Sequence, residues 1–167
     1  MSNYADPILN KYIELIKANN PDIKAYYQGD PIRVGSSVLP AVLISKFDTR
    51  VGKFSNAEDE YALGIRITVI TDIRADLSTS ENDAKIVEGI ARLYDICEGR
   101  EADYTLKASS ILDILRANEH VDSATNLRTD LGSLTRVDYG ENLRDRTPEL
   151  WTVEARIEFV ANFIQVR

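Results

Sequence analysis

From Leu150 to Val166 the chain alternates without a break. Trp151, Val153, Ala155, Ile157, Phe159, Ala161 and Phe163 fall on one side of an extended backbone, and Thr152, Glu154, Arg156 and Glu158 on the other. That alternation marks a strand with one buried face. At about 3.3 Å per residue, positions 150–166 would span roughly 55 Å, about three times a usual strand. A chain carrying such a strand must be built around a sheet. The length predicts that the strand is bent or bulged, or that part of it leaves its own domain.

A second run of the same kind lies in the first half. Tyr61, Leu63, Ile65, Ile67, Val69 and Ile73 alternate with Gly64, Arg66, Thr68 and Asp72. Before it, residues 39–51 are apolar on both sides at the start and polar later, which also reads as a strand. Residues 52–60 between the two are polar and read as a connection, so the pair is expected to form a hairpin with an extended, charged tip. Residues 23–28 suggest a short strand, and Ser133–Tyr139 a strand returning into the long C-terminal one through the charged loop GENLRDRTPE.

Helical periods separate these runs. Asp6 and Pro7 pair a side-chain cap with a preset φ, and Ile8, Leu9, Tyr12, Ile13 and Ile16 follow at helical spacing up to Asn19, Asn20 and Pro21. Ser80 and Asp83 resemble a capping box ahead of Ile86, Val87, Ile90, Leu93, Tyr94 and Cys97, with Gly99 as a stop. A further helix is expected over about 108–118, with Ala108, Ile111, Leu112 and Leu115 buried; residues 119–132 give no clear pattern. The order α, β-hairpin, α, α, β-hairpin predicts an α+β fold. Its antiparallel or mixed sheet comes from two long hairpins, covered on one face by the N-terminal helix and two central helices. At 167 residues, 44% of them hydrophobic, the chain is expected to be one domain (1–167) with hairpin arms near 46–62 and 139–152.

Catalytic readings do not gather support. Cys97 and His120 are the only residues of their kinds, so no internal disulfide, cysteine zinc cluster or His–His metal pair can form. His120 lies just past a predicted helix end, where the helix dipole explains a histidine without catalysis, and no nucleophile-elbow pattern accompanies it. Cys97 falls on an apolar helical stripe, the setting of a structural thiol. Glu58, Asp59 and Glu60 lack the spacing and glycine of a calcium loop. Glu154 and Glu158 would stand about 13 Å apart on a strand, too far for a glycosidase pair, and Arg156 between them suggests a cross-strand charge ladder. Gly29, Gly35, Gly52 and Gly64 match no phosphate or dinucleotide loop. Trp151 and Tyr139 are expected to serve packing or an interface rather than to stack on a base or sugar. The expectation is a protein that is not an enzyme and carries no cofactor.

Charge and strand edges point elsewhere. Lys and Arg total 20 against 27 Asp and Glu, a net charge of −7. Stable DNA binding is disfavoured, whereas DNA sliding past without sticking is permitted. The N-terminus lacks a secretory pattern and no stretch reaches the roughly 20 apolar residues of a membrane span, so synthesis and residence in the cytoplasm are expected. Long strands leave edges that must be capped or paired, and a neighbour's edge or arm does this in a cyclic assembly. The residues expected to meet a neighbouring copy or partner are those of the two arms: Arg50, Lys53, Phe54, Glu58, Asp59 and Glu60 in the first, and Arg144, Asp145, Arg146, Glu149 and Trp151 in the second.

With its N-terminal helix (DPILNKYIELIKAN), long hairpin ending in YALGIRITVITDIR, central helices and final WTVEARIEFVANFIQVR, the chain resembles, over nearly its whole length, the tail terminator or tail completion proteins of tailed bacteriophages and related neck proteins. The resemblance implies a structural virion protein. It would be a homo-oligomeric ring, hexameric in that family, closing the head-proximal end of the tail tube. Its partners would be further copies of itself, the tail tube protein, the head–tail connector or neck protein, and a contractile sheath where one exists; DNA would pass through the lumen. It implies a place in the tail or neck of the virion after assembly in the host cytoplasm, with no membrane contact. Two alternatives stay open: another head–tail joining protein of similar fold, and a non-viral acidic protein-binding module.

Overall fold

A computed structural model describes residues 5–29, 31, 34–73, 88–132, 135–140 and 152–166. Its elements are helices α1 (Pro7–Asn19), α2 (Glu88–Glu98) and α3 (Ile111–Ala117). The strands are β1 (Ala25–Gln28), β2 (Ala41–Lys53), β3 (Glu58–Asp72), β4 (His120–Asp122), β5 (Leu127–Asp130), β6 (Arg136–Gly140) and β7 (Thr152–Val166). The fold is α+β, as the alternation of strand and helix patterns predicts.

β7 is the axis of the sheet. It pairs antiparallel with β3 over their full lengths, from Glu58↔Val166 to Asp72↔Thr152, with no register shift. The long strand therefore stays within its own chain. What it needs is a partner of equal length, and β3 provides one. The opposite side of β7 is shared by β6, which pairs with Glu154–Glu158, and β5, which pairs with Val160–Asn162. β4 adds beyond β5, while β2 and then β1 extend the sheet past β3. β1 runs parallel to β2, from Ala25↔Ala41 to Gln28↔Ile44, so the sheet is mixed.

Period-2 alternation places one face of this sheet against all three helices. Val42, Ile44, Leu63, Ile65, Ile67, Val69, Val153, Ala155, Ile157, Phe159 and Ala161 form one core with Leu9, Tyr12 and Ile16 of α1, Leu93, Ile96 and Cys97 of α2, and Ile111 and Leu115 of α3. Each valine, leucine, isoleucine or phenylalanine among these contributes about 1.5–3 kcal/mol when fully buried. The opposite face is not wholly bare. Val34 and Leu39, either side of a 3₁₀ turn at Ser36–Val38, cover Ala41, Leu43 and Ile70 in a second small core.

Local chemistry fixes the helices. Asp6 caps α1 by accepting from the N–H groups of Ile8 and Leu9, with Pro7 in the first turn, and its carboxylate pairs with Lys46 of β2. Tyr12 packs edge-on to Phe159 at 5.2 Å and shares a 3.0 Å hydrogen bond with Thr129 Oγ1. Burial pushes its phenol up to about 12, against the opposing effect of the Thr129 bond. Ser110 caps α3 by accepting from the Asp113 N–H.

Several expectations are corrected. The connection expected over 52–60 is in fact mostly ladder, with Gly52↔Glu60 and Lys53↔Asp59 paired and only Phe54–Ala57 left as the turn. The helix expected over 108–118 occupies only Ile111–Ala117. Within 119–132, where no pattern was evident, lie β4 and β5. Ser80, Asp83, Ile86 and Val87 fall outside the described residues, as does most of the expected arm at 139–152, since β6 ends at Gly140.

Candidate interaction surface

The first arm is a three-stranded ribbon. β1 pairs with β2 only as far as Ile44, so the outer edge of β2 from Ser45 to Lys53 has no strand against it among the described residues. A register shift between Lys46 and Asp48 bends the strand at this point, and Phe47 turns onto the helix-free face. Its ring fills the space above Gly64, where an added Cβ would lie 2.7 Å from Phe47 Cζ. The Arg66 guanidinium stands 5.3 Å from the centre of the same ring, within cation–π range.

Beyond this point both faces of β2 are solvent-facing. Arg50, Val51, Gly52, Lys53 and Phe54 are all exposed, Val51 at 56% and Phe54 at 57%. Arg50 donates to Asp48 Oδ2 at 3.0 Å, and Ser55 Oγ donates to Glu58 Oε2 at 3.2 Å. The end of the hairpin thus brings together Arg50, Lys53, Phe54, Glu58, Asp59 and Glu60, the six residues expected there. Glu58 to Glu60 lie on β3 and not in the turn. Arg144, Asp145, Arg146, Glu149 and Trp151 lie outside the described residues.

The helix-free face carries a charge lattice set by register. Ser45, Arg66, Glu158 and Arg136 form one row across four strands, and Leu43, Thr68, Arg156 and Asp138 the next. Arg66 contacts Glu158 at 2.6 Å, Arg136 contacts Asp138 at 2.7 Å, and Arg156 lies 3.9 Å from the buried Glu154. Arg66–Glu158 is the cross-strand pair of the expected ladder, while the Arg156–Glu154 and Arg136–Asp138 contacts run along single strands. Arg66 is reached from Glu158 across the sheet and so was hidden from a reading of one strand.

At the far end of β7 lies a feature that sequence patterns did not reveal. Pro7 and Ile8 of α1, Leu127 at the start of β5, and Phe163 and Val166 line a mainly apolar cavity of about 440 Å³. It opens where β5 stops. Among the described residues no strand lies against Phe163–Val166 on the side away from β3, and Val166 is 69% exposed. An alternating strand shows which face is buried but not where its neighbour ends.

The remaining candidates have structural surroundings. Cys97 is fully buried, and burial, with Glu98 nearby, holds its thiol far above the usual range. His120 is exposed on β4 opposite Arg128. Tyr139 packs edge-on to Tyr94 at 4.6 Å and donates to Glu98 Oε1 at 2.7 Å. Partial burial and then this bond raise its phenol. No helix among the described residues is long and apolar enough to cross a membrane. No protein-family model matches the chain, and no curated protein matches it.

Proposed function

We propose that this chain is a structural virion protein that works by self-assembly, forming a homo-oligomeric ring that terminates a phage tail tube and joins it to the head connector. The observation that carries the self-assembly is the ribbon end. Among the described residues β2 keeps an open edge from Ser45 to Lys53 while presenting exposed Val51 and Phe54 among Arg50 and Lys53. Long edges with exposed apolar side chains are a hazard in a monomer and an asset in an assembly. The tail-terminating role rests on the resemblance of the whole layout and on an acidic balance suited to DNA passage without binding. Six copies, contacts with tube and connector proteins, and a place in the virion neck belong to the same reading.

The charge lattice speaks against an acidic module that mimics nucleic acid, because the single acid of each row lies beside arginine, Glu158 between Arg66 and Arg136 and Asp138 next to Arg156. The test is solution mass by light scattering over a range of concentrations, with and without purified tail-tube protein. A ring-sized mass, alone or on the tube, supports the proposal. A chain that stays monomeric and ignores the tube protein refutes it.

A further inference from the structure

We infer that the ring contact is a strand addition, in which Val51–Phe54 at the end of the β2 edge of one copy lie beside Phe163–Val166 of the next, past the point where β5 leaves β7 at Asn162, and seat Val51 in the cavity at Phe163; the inference rests on the self-assembly reading above. The acceptor has two independent features. One is the edge of Phe163–Val166, which no strand among the described residues covers and whose backbone can receive one. The other is the apolar cavity of about 440 Å³ beside it, between α1 and the β4–β5 turn, where the inward side chains of an added strand would fit.

The occupant is a second copy of this chain, argued from charge and direction. Positions 45–53 carry Lys46, Arg50 and Lys53 against Asp48, a net of +2 within a chain of net −7. Positions 118–130, on the β4–β5 side of the acceptor, carry Glu119, Asp122 and Asp130 against Arg128, a net of −2, which Lys11 on the cavity wall reduces to −1. The basic edge and the acidic edge are complementary. Thr49 and Val51 pair opposite Leu63 and Tyr61, and Tyr61 opposite Phe163, so they share the face on which the cavity opens. Both β2 and β7 are antiparallel to β3, so they run in the same direction. A rotation about an axis along the strands preserves that direction, making the contact parallel and head-to-tail. Donor and acceptor edges differ, so the contact can propagate and close into a ring, as a two-fold dimer cannot.

The test uses the full chain with Lys53→Cys and Gln165→Cys together, which are neighbours in the proposed contact but have β3 between them within one copy; both positions are exposed, and buried Cys97 does not compete. Treatment with a short thiol-reactive bifunctional spacer is expected to give a covalent ladder extending past the dimer on a denaturing gel. Adding Val51→Asp should lower its yield by about tenfold or more. In the unmodified chain, amide exchange at Phe163–Val166 should slow as concentration rises. An oligomer by light scattering that gives no ladder, or stops at a dimer, or leaves those amides unprotected, overturns this contact while the ring survives. A chain that stays monomeric with and without tail-tube protein, with no ladder and no added protection, overturns both.

Discussion

Tyr61 and Phe163 stand directly opposite each other on β3 and β7, with ring centroids 4.8 Å apart and planes within 12° of parallel. The stack sits at the root of the ribbon, where the helix-backed core gives way to exposed strands. It therefore links the rigid sheet to the arm, and Phe163 also walls the cavity. Phe163→Ala is expected to cost about 2 kcal/mol, less than the ~3–5 of a fully buried ring, and to speed amide exchange in Arg50–Ala62. Urea unfolding with site-resolved exchange checks both, and unchanged exchange in the arm would contradict this role.

Gly64 is required by Phe47. Gly64→Ala sets a Cβ 2.7 Å from the Phe47 ring, which must swing off its place beneath Arg66. The cost should be about 1 kcal/mol, since the ring is half-exposed and can move. Phe47→Ala in the same chain should remove most of that penalty. A double-mutant cycle read from denaturant midpoints tests the coupling; additive effects would disprove it.

Asp6 gives a pH dependence. Burial raises its carboxyl, but the Lys46 bond and the Leu9 and Ile8 N–H groups outweigh it, so its folded value lies below the ordinary 3.8. A lowered value means stability that is present above pH 3.8 and lost as pH falls through the folded value. Asp6→Asn keeps a capping oxygen and loses the charge, so the variant should match the unmodified chain more closely as pH falls below 3.8. Asp6→Ala should cost about 1 kcal/mol near neutral pH through loss of the cap. Thermal melts at pH 7 and from pH 5 to 2 measure both effects.

Tyr12 should act at the other end of the scale. Its phenol is pushed up to about 12 by burial, so the fold favours the neutral form and its stability should fall as pH rises from 10 towards 12. Tyr12→Phe should flatten that fall. It should also cost about 1–3 kcal/mol at neutral pH, because buried Thr129 Oγ1 loses its partner. Melts across pH 9–12 decide it; equal slopes for the two chains would contradict the assignment.

The sequence told most where a chain segment faces water on one side only. The face of β7 from Val153 to Ala161 and that of β3 from Leu63 to Val69 were readable because polar and apolar residues alternate there. Of the connection expected over Gly52–Glu60 only Phe54–Ala57 is turn; the rest is strand without a strand pattern, because an arm standing clear of the core has polar residues on both faces and the periodicity vanishes. β1 falls within the short strand expected over 23–28, though nothing in AYYQ announces a parallel partner; β4 and β5 have three and four residues, too few for a period. For the candidate surface, charge clustering located Arg50 to Glu60. The Phe163 cavity depends on where β5 ends, and the Arg66–Glu158 pair on cross-strand register, neither of which is a local property.

The central claim is that open strand edges exist to be joined by other copies. Light scattering of the unmodified chain and of Val51→Asp, over matched concentrations and with equal thermal melts as a control, tests it most directly. The unmodified chain should give a concentration-dependent mass rising to a discrete ring, and Val51→Asp should need about tenfold more protein to reach it. Identical mass curves for the two chains, or a monomer throughout both with and without tail-tube protein, would contradict the account.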